Sequence, residues 1–310
     1  MPSASKPPLV VIAGPTASGK SGLALALAQQ IRGVIVNADS AQIYKDLRVL
    51  SAAPTDDELK TADHRLYGVR DGAVPCSAAD WAEMAREEIA GIHDGGGTPI
   101  LVGGTGLYLR TLIEGIAPVP AIDPEVRARV RGTPVDENRT KLAALDPAAA
   151  ARLNAGDTTR INRALEVILS TGRTLAEWQK QRDGGIGHDV DLRALIMLPP
   201  RKWLYARCDE RFAQMIDRGA VTEVEALLAR NLNPNLPVMR AIGVADIARY
   251  LRGEISLDEA VAAGQQATRR YAKRQYTWFA HQPPTAWPRF KEALDMDRLG
   301  EALALLRPKD

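Results

Sequence analysis

The sequence predicts an α/β protein with a parallel-sheet core and an inserted all-helical subdomain. Short apolar runs alternate with helical patterns from Leu9 to Glu114, the βαβ order that places helices on both faces of a parallel sheet. From Pro118 to about Asp191 only helical patterns appear, and the apolar run LRALIML then provides another strand. We therefore expect a core in two parts, 9–117 and 191–310, around a helical insertion at 118–190.

The elements follow in order along the chain. Strands are predicted at LVVIA, VIVNAD and PILVGG, and helices at SGLALALAQQI, SAADWAEMAREEIAGI and TGLYLRTLI. Within the insertion, Pro and Gly punctuate helices at DPEVRARV, ENRTKLAALD, DPAAAARL, TTRINRALEVILSTG and TLAEWQKQ. Helices are also expected from about Arg201 to Arg230 and from about Ser256 to His281, with the polar link NLNPNLP between them.

Composition narrows the functional classes. The chain has 310 residues, 45% hydrophobic and 25% charged, as in a globular protein with a sizeable core. Its formal net charge of +2 is too close to neutrality to indicate nucleic-acid binding by itself, so any basic surface must be local. The segment MPSASKPP lacks the apolar stretch of a signal peptide and is expected to be a frayed tail. No apolar run reaches the roughly 18 residues of a membrane span, so no membrane contact is expected.

The two cysteines, Cys76 and Cys208, lie far apart and have no partner at metal-ligand spacing. This usage predicts neither a zinc site nor a disulfide framework, and it favours a reducing, cytoplasmic compartment. Neither cysteine has a nearby His in sequence that would mark a nucleophile pair, so both are expected to be small core residues. We expect a cytoplasmic monomer.

The segment GPTASGKS fits the phosphate-binding pattern G-x-x-x-x-G-K-[ST] and stands between a predicted strand and a predicted helix. Glycines let the backbone wrap an anion, so that successive N–H groups and the positive helix end face it. Lys20 is expected to reach the terminal phosphates, and Ser21 to offer its hydroxyl to Mg²⁺. The predicted phosphate-binding residues are Gly14, Pro15, Thr16, Ala17, Ser18, Gly19, Lys20 and Ser21.

No acidic residue stands at the end of the strand PILVGG, which runs directly into Thr105, and the next acid is Glu114. P-loop NTPases normally hold their metal with an acid at such a strand end. The strand VIVNAD does end in a carboxylate, Asp39, at the edge where ligands of open α/β sheets bind. Asp39 is therefore expected to be a substitute metal ligand or a general base, and the alternative is an Asp that caps a turn.

Six motifs occur in order from about Val10 to Phe279: GPTASGKS, DSAQIY, LVGGTGLY, RALEV, RAIG and KRQYTWF. Together they resemble the bacterial tRNA dimethylallyltransferases, also called isopentenyl-tRNA transferases. The resemblance implies a P-loop NTPase-like core. It also implies transfer of the dimethylallyl group from dimethylallyl diphosphate to N6 of the tRNA adenosine immediately 3′ of the anticodon. The loop then holds an allylic diphosphate rather than a nucleotide, which accounts for the missing acid.

By the resemblance, three residues are catalytic. Asp39 is the general base that takes the N6 proton, Thr105 contacts the substrate base or its backbone, and Arg211 binds the diphosphate. The adenosine is normally stacked in the anticodon loop, so it is expected to flip out of the stack to reach Asp39.

The resemblance also implies contacts with the tRNA anticodon stem-loop. The segment DSAQ meets the adenosine, and TRINR with Arg127 contacts tRNA from the insertion. In TRRYAKRQ, two basic pairs at i, i+4 form a stripe that suits a phosphate backbone, although a solvated helix face explains the stripe almost as well. The predicted tRNA-binding residues are Asp39, Ser40, Ala41, Gln42, Thr105, Arg127, Thr159, Arg160, Ile161, Asn162, Arg163, Arg240, Lys273 and Arg274.

Two segments depart from the family pattern. Many relatives carry G-T-A-K-P after DSxQxY, but this chain has LSAAP, with Ser51 in place of the threonine and Ala53 in place of the lysine. After RAIG, Val244 and Ala245 stand where relatives often have an aromatic and a basic residue. The changes concern diphosphate binding around Ala53 and tRNA contact around Ala245.

Two other functions fit parts of the pattern. A small-molecule kinase would use the same phosphate loop on ATP. An RNA-binding ATPase or adaptor would use the basic helices without allylic chemistry.

Overall fold

The computed structural model describes residues 6–295 and 297–307, which form two compact units. The core unit comprises the described residues up to Leu112 and from Ile186 onward, and the helical unit is Ile113–Gly185. The predicted insertion, 118–190, begins and ends a few residues later. The first five residues of the predicted tail MPSASKPP lie outside the described residues, whereas Pro8 already begins a strand.

A parallel sheet forms the centre of the core unit, which confirms the predicted α/β class. Within the described residues it has six strands in the order β3-β2-β4-β1-β5-β6. In the middle strand, Val10 lies opposite Ile100 on one side and Arg193 on the other. The strands are β1 (Pro8–Ala13), β2 (Gly33–Asn37), β3 (Asp63–Arg65), β4 (Thr98–Gly103), β5 (Asp191–Met197) and β6 (Arg289–Phe290).

Helices of the core unit connect these parallel strands, as a parallel sheet requires. They are α1 (Lys20–Gln30), α2 (Asp56–Thr61), α3 (Ala78–Asp94), α4 (Gly106–Glu114, which runs into the helical unit), α10 (Arg201–Asp217), α11 (Ala220–Ala229), α12 (Val244–Leu251), α13 (Leu257–His281) and α14 (Leu299–Ala304), with a 3₁₀ turn at Val238–Arg240. In the helical unit they are α5 (Pro124–Gly132), α6 (Val135–Leu145), α7 (Pro147–Arg152), α8 (Thr158–Thr171) and α9 (Leu175–Trp178).

The main hydrophobic cluster joins the sheet to α1 and α14. Ile12 and Val102 of the sheet belong to it together with Leu23 of α1 and Leu303 of α14, all of them buried. Burying a side chain of this size contributes about 1.5–3 kcal/mol relative to leaving it exposed. This packing holds the first turn of α1 at the carboxyl end of β1, where the phosphate loop lies.

The structure differs from the sequence prediction in local detail. The segment TLAEWQKQ forms only the short α9, and the predicted helical stretch 201–230 breaks at Gly219, whose φ of 96° ends one helix and begins the next. Strands β3 and β6 were not predicted because they have only three and two residues. No helix among the described residues is both long and apolar enough to cross a membrane.

The helical unit has a small core of its own. Val130, Leu142, Ile161 and Leu165 form its buried cluster. The carboxylate of Glu166 is also buried there, and Arg131 Nε donates to its Oε1 at 2.9 Å. A buried charge is tolerated only when it is paired, so Arg131 has a structural role in this unit.

Candidate active site

The phosphate loop runs from the end of β1 to the start of α1, as predicted. Ala17 to Gly22 line a cavity of about 1020 Å³, which we call the loop cavity. Its other walls come from the 45–58 segment and from α10 and α11. Thr16 instead faces a second cavity, and the loop therefore borders both.

Lys20 is almost fully buried at the base of the loop cavity, where its Nζ donates to the carbonyl of Pro15 at 3.2 Å. Burial lowers the pKa of Lys20 to about 8, although the nearby carboxylate of Asp39 acts in the opposite direction. An anionic ligand in this cavity would favour the charged ammonium. The site is therefore prepared for an anion.

Two hydroxyls of the loop are available to a ligand. The buried Oγ of Ser18 has no hydrogen-bond partner among the described residues, and Ser21 is exposed on the first turn of α1. In the described part of the chain, no three His, Cys, Asp or Glu side chains converge on a metal position. A Mg²⁺ ion bound by the hydroxyl of Ser21 and by phosphate oxygens would fit this arrangement, because Mg²⁺ usually takes few protein ligands.

The second cavity, about 320 Å³, contains Asp39, and we call it the acid cavity. Both polar and apolar side chains line it. The polar lining includes Thr16, Asp39, Ser40, Arg211, Arg240, Tyr271 and Arg274, and the apolar wall includes Leu47, Leu50, Phe212, Met215 and Val238.

A buried asparagine fixes the turn that carries Asp39. Asn37 is fully buried at the end of β2; its side-chain oxygen accepts from Asp39 N at 2.8 Å, and its amide donates to the Asp39 carbonyl at 3.0 Å. Oδ1 of Asp39 accepts from Ala41 N at 3.0 Å. The turn-capping role that the sequence left open is therefore present, and it coexists with a place in the cavity lining.

Arg211 lines both cavities, and its guanidinium donates a hydrogen bond to the hydroxyl of Thr16. Burial lowers the pKa of Arg211, while Cys208 and Asp39 act to raise it. An arginine remains charged under such a shift because its ordinary pKa is so high. Arg211 is thus a fixed cation between the phosphate loop and the acid.

Thr105 lies behind the acid cavity rather than in its lining. Its Oγ1 accepts from Ser40 N at 3.0 Å, and its hydroxyl donates to Ser40 Oγ at 3.2 Å. The structure thus gives Thr105 contacts to the segment that follows Asp39. Its predicted contact with substrate stays a prediction.

Gln42 faces away from the acid cavity. Its Nε2 donates to the carbonyls of Ser51 and Ala52 at 3.1 and 2.6 Å, and it holds the segment that departs from the family pattern. Glu223 anchors the same segment by accepting from Val49 N at 2.7 Å. The backbone at Ala53, which lines the loop cavity, is therefore held without a lysine.

Helix α13 carries the KRQYTWF motif past the two loops. Arg274 borders the acid cavity, whereas Lys273 is exposed outside its lining. Arg269 of the predicted basic stripe pairs with Asp209 of α10, so it is less available to phosphates than the sequence suggested. The ring of Trp278 packs where a Cβ on Gly106 would stand 2.4 Å away, which explains the glycine after Thr105.

The residues of the helical unit that were predicted to bind tRNA differ in their exposure. Thr159 and Arg160 are exposed, whereas Arg127 pairs with the buried Glu166 at 3.9 Å. Ile161 was predicted to contact tRNA, but its side chain is fully buried in the core of the helical unit, because it belongs to the apolar face of α8. Asn162 accepts from Asn138 Nδ2 at 3.0 Å within this unit.

Arg163 of the same helix is half-buried. Burial lowers its pKa, and the Glu166 carboxylate acts in the opposite direction. The two effects on the pKa show that the Arg163 guanidinium is partly buried near Glu166 inside the helical unit.

Both cysteines line the acid cavity, Cys208 buried and Cys76 half-buried. Burial raises the pKa of each thiol, so neither is activated as a nucleophile. The sequence predicted that both are core residues; Cys208 is buried, whereas Cys76 is only half-buried. Tyr271, which the sequence analysis missed, also lines this cavity, and burial raises the pKa of its phenol, with a smaller effect from the Asp39 carboxylate.

Comparison with known proteins identifies the family. The sequence model of the family described as IPP transferase matches residues 42–282. The chain is 60% identical over 291 residues to the tRNA dimethylallyltransferase of Erythrobacter litoralis, covering 92% of each protein. It is 49% identical over 305 residues to the tRNA dimethylallyltransferase of Zymomonas mobilis, covering 98% of each.

Solved structures show the same fold. The full-length tRNA isopentenylpyrophosphate transferase of Bacillus halodurans superposes with a TM-score of 0.68 at 30% identity, with 97% of each chain covered. A eukaryotic dimethylallyltransferase, crystallised acting on tRNA, superposes with a TM-score of 0.76 at 27% identity, covering 88% of this chain and 69% of that one. The predicted P-loop NTPase-like α/β core is confirmed, and the chain belongs to the IPP transferase family.

Proposed function

We propose that this chain transfers the dimethylallyl group from dimethylallyl diphosphate to N6 of the tRNA adenosine immediately 3′ of the anticodon. The observation that carries the proposal is that Arg211 lines both the loop cavity and the acid cavity. A diphosphate in the loop cavity and an adenine beside Asp39 would then both lie next to the guanidinium of Arg211. The kinase and adaptor alternatives fit the family less well, because its named relatives are transferases of this type.

The loop cavity suits the diphosphate. Backbone N–H groups at the start of α1, Lys20 and Arg211 would bind its oxygens, and the free hydroxyl of Ser18 can join them. Ser21 would hold Mg²⁺, which neutralises charge on the diphosphate when bound. Since these groups favour the more negative leaving group, they stabilise the transition state more than the intact substrate.

The acid cavity suits the acceptor and the five-carbon group. Its apolar wall matches a dimethylallyl chain, and Asp39 is the carboxylate beside it. As N6 bonds to C1 of the dimethylallyl group, the C1–O bond breaks and its electron pair leaves with diphosphate. The N6 proton passes to Asp39, since an aromatic exocyclic amine is a poor nucleophile without a base.

The tRNA is expected to be held by basic side chains. Arg160 of the helical unit is well exposed, and Arg240 and Arg274 line the acid cavity of the core unit. Contacts of this kind to phosphates position a nucleic acid without reading its sequence. Flipping the adenosine out of its stack costs a few kcal/mol, which these contacts would offset.

The function is tested by incubating the protein with dimethylallyl diphosphate, Mg²⁺ and a full set of tRNAs that have adenosine 3′ of the anticodon. Nucleoside mass analysis should show N6-dimethylallyladenosine and release of diphosphate. Absence of that nucleoside from every tRNA would contradict the proposal, and transfer of a labelled γ-phosphate from ATP without tRNA would favour a kinase.

A further inference from the structure

We propose that Gln275 is a positioning residue whose side-chain amide aligns the phosphate loop with the turn that carries Thr105. Oε1 of Gln275 accepts from Thr16 N at 2.8 Å, and its Nε2 donates to the Gly104 carbonyl at 2.9 Å. Gln275 lies on α13, far along the chain from both loops, and is only 6% exposed. One amide therefore joins the loops that follow β1 and β4.

The two hydrogen bonds suit a neutral group that carries one donor and one acceptor. A Cβ on Gly104 would stand 2.2 Å from Nε2 of Gln275, so the close approach depends on a glycine at that position. A buried amide that satisfies both partners is favourable, whereas a group that leaves one of them unpaired costs the desolvation of that partner. The amide of Gln275 offers the donor and the acceptor on two atoms of one group, and the protonated carboxyl group of a Glu at this position offers the same combination.

The two contacts lead to the two sides of the proposed reaction. Thr16 receives the hydrogen bond from Arg211, the cation shared by the two cavities. The turn at Gly104 leads into Thr105, whose hydroxyl binds Ser40 next to Asp39. Gln275 thus fixes the position of Arg211, which binds the diphosphate, relative to Asp39, the general base, without itself contacting substrate. This inference rests on the proposed function, since it explains how that site is aligned.

The test compares Gln275→Glu and Gln275→Leu with the wild-type protein. At about pH 8 the carboxylate of Gln275→Glu would place a negative oxygen against the Gly104 carbonyl, and kcat/KM for dimethylallyl diphosphate should fall about 10- to 100-fold. Burial and that carbonyl raise the pKa of the new carboxyl group, so lowering the pH to about 6 should protonate it. The protonated form mimics the amide, so the ratio of variant to wild-type activity should recover as pH falls. Gln275→Leu should lose activity without recovery.

A second measurement uses inorganic pyrophosphate with Mg²⁺ as the probe, by calorimetry. Its affinity for Gln275→Glu should show the same recovery at low pH, while tRNA affinity stays within about twofold of wild type. The matched control is Gln265→Glu on the same helix, whose amide donates to the Asp209 carbonyl at 3.0 Å, away from both loops. This control should show no pH-dependent loss of pyrophosphate affinity.

The inference is overturned if Gln275→Glu binds pyrophosphate as the wild type does at about pH 8, or if its loss is independent of pH. The same holds if Gln265→Glu shows an equal, pH-dependent loss. Should Gln275→Leu fail to fold, the titration of Gln275→Glu still decides. A wild-type protein that makes no prenylated nucleoside would sink the proposed function instead, and the pyrophosphate measurement would still test Gln275.

Discussion

The hydroxyl oxygen of Thr105 accepts a hydrogen bond from the backbone N–H of Ser40 at 3.0 Å, and so ties the end of β4 to the segment that follows Asp39. Sixty-five residues separate the two along the chain. Asn37 holds the backbone of Asp39, and the carboxylate of Asp39 accepts a hydrogen bond from Ala41 N. Its position in the acid cavity is thus determined by neighbouring strand ends.

Removing this contact should slow the reaction. Thr105→Val keeps the side-chain shape but loses the acceptor, and a lost hydrogen bond of this type predicts a kcat about 3- to 10-fold lower. Thr105→Ser retains a hydroxyl and should restore most of the loss. The rate of product formation in a single turnover with saturating substrates measures this loss. A wild-type rate in Thr105→Val would show that the Ser40 contact is dispensable.

Diphosphate affinity should depend on the protonation of Lys20. Its pKa is about 8 in the ligand-free protein because of burial, and a bound anion raises it. The complex therefore keeps a proton that the free protein loses, so affinity is full below about pH 8 and weakens as pH rises through that value. Calorimetric titration with Mg²⁺ and pyrophosphate measures this dependence.

The control for that titration is Lys20→Gln, which removes the titrating group. It should bind more weakly at neutral pH and lack the inflection near pH 8, leaving only the titration of pyrophosphate itself. If both proteins show the same inflection, Lys20 does not contribute to diphosphate binding.

The bridging role of Arg211 should depend on its planar guanidinium. Arg211→Lys keeps the charge but cannot bind Thr16 and two diphosphate oxygens together, so kcat/KM for dimethylallyl diphosphate should fall about 10- to 100-fold. The matched control is Arg201→Lys on the same helix, where the side chain lies over Tyr276 and lines neither cavity. Equal effects of the two changes would argue against a bridging role.

Exposed arginines of the helical unit should contribute to the salt dependence of tRNA binding. The side chain of Arg160 is 76% exposed, so Arg160→Ala should weaken binding and reduce the slope of log K against log salt by about 0.7–0.9. Arg32→Ala is the control, because Arg32 precedes the amino end of β2, lines neither cavity and lies outside the helical unit. A slope unchanged in Arg160→Ala would remove this residue from the phosphate contacts.

Local pattern predicted the elements of the core well because each carries its own signal. The phosphate loop, the strand before it and the helix after it lie where the spacing of Gly14, Gly19 and Lys20 placed them. The long helix α13 begins after Ser256, whose capping box with Glu259 is a local start signal. A similar box at Thr55 and Glu58 marks α2, which the sequence analysis overlooked.

Long-range partners could not be predicted in the same way. Gln275 and Trp278 occupy ordinary helical positions, and nothing in their spacing shows that they pack on the turn after β4. Arg269 was interpreted as part of an RNA-binding stripe. Its ion pair with Asp209 could not be predicted, because the pair joins two helices that are distant in sequence. Ile161 was carried over with its motif, although its apolar side chain is typical of a core position.

The most direct test of the account is the rate of Asp39→Asn. The amide cannot take the N6 proton, so single-turnover formation of N6-dimethylallyladenosine should slow by about 10²- to 10⁴-fold. Affinity for tRNA and for pyrophosphate should stay near that of wild type. An Asp39→Asn protein that forms product at the wild-type rate would contradict the assignment of Asp39 as the base.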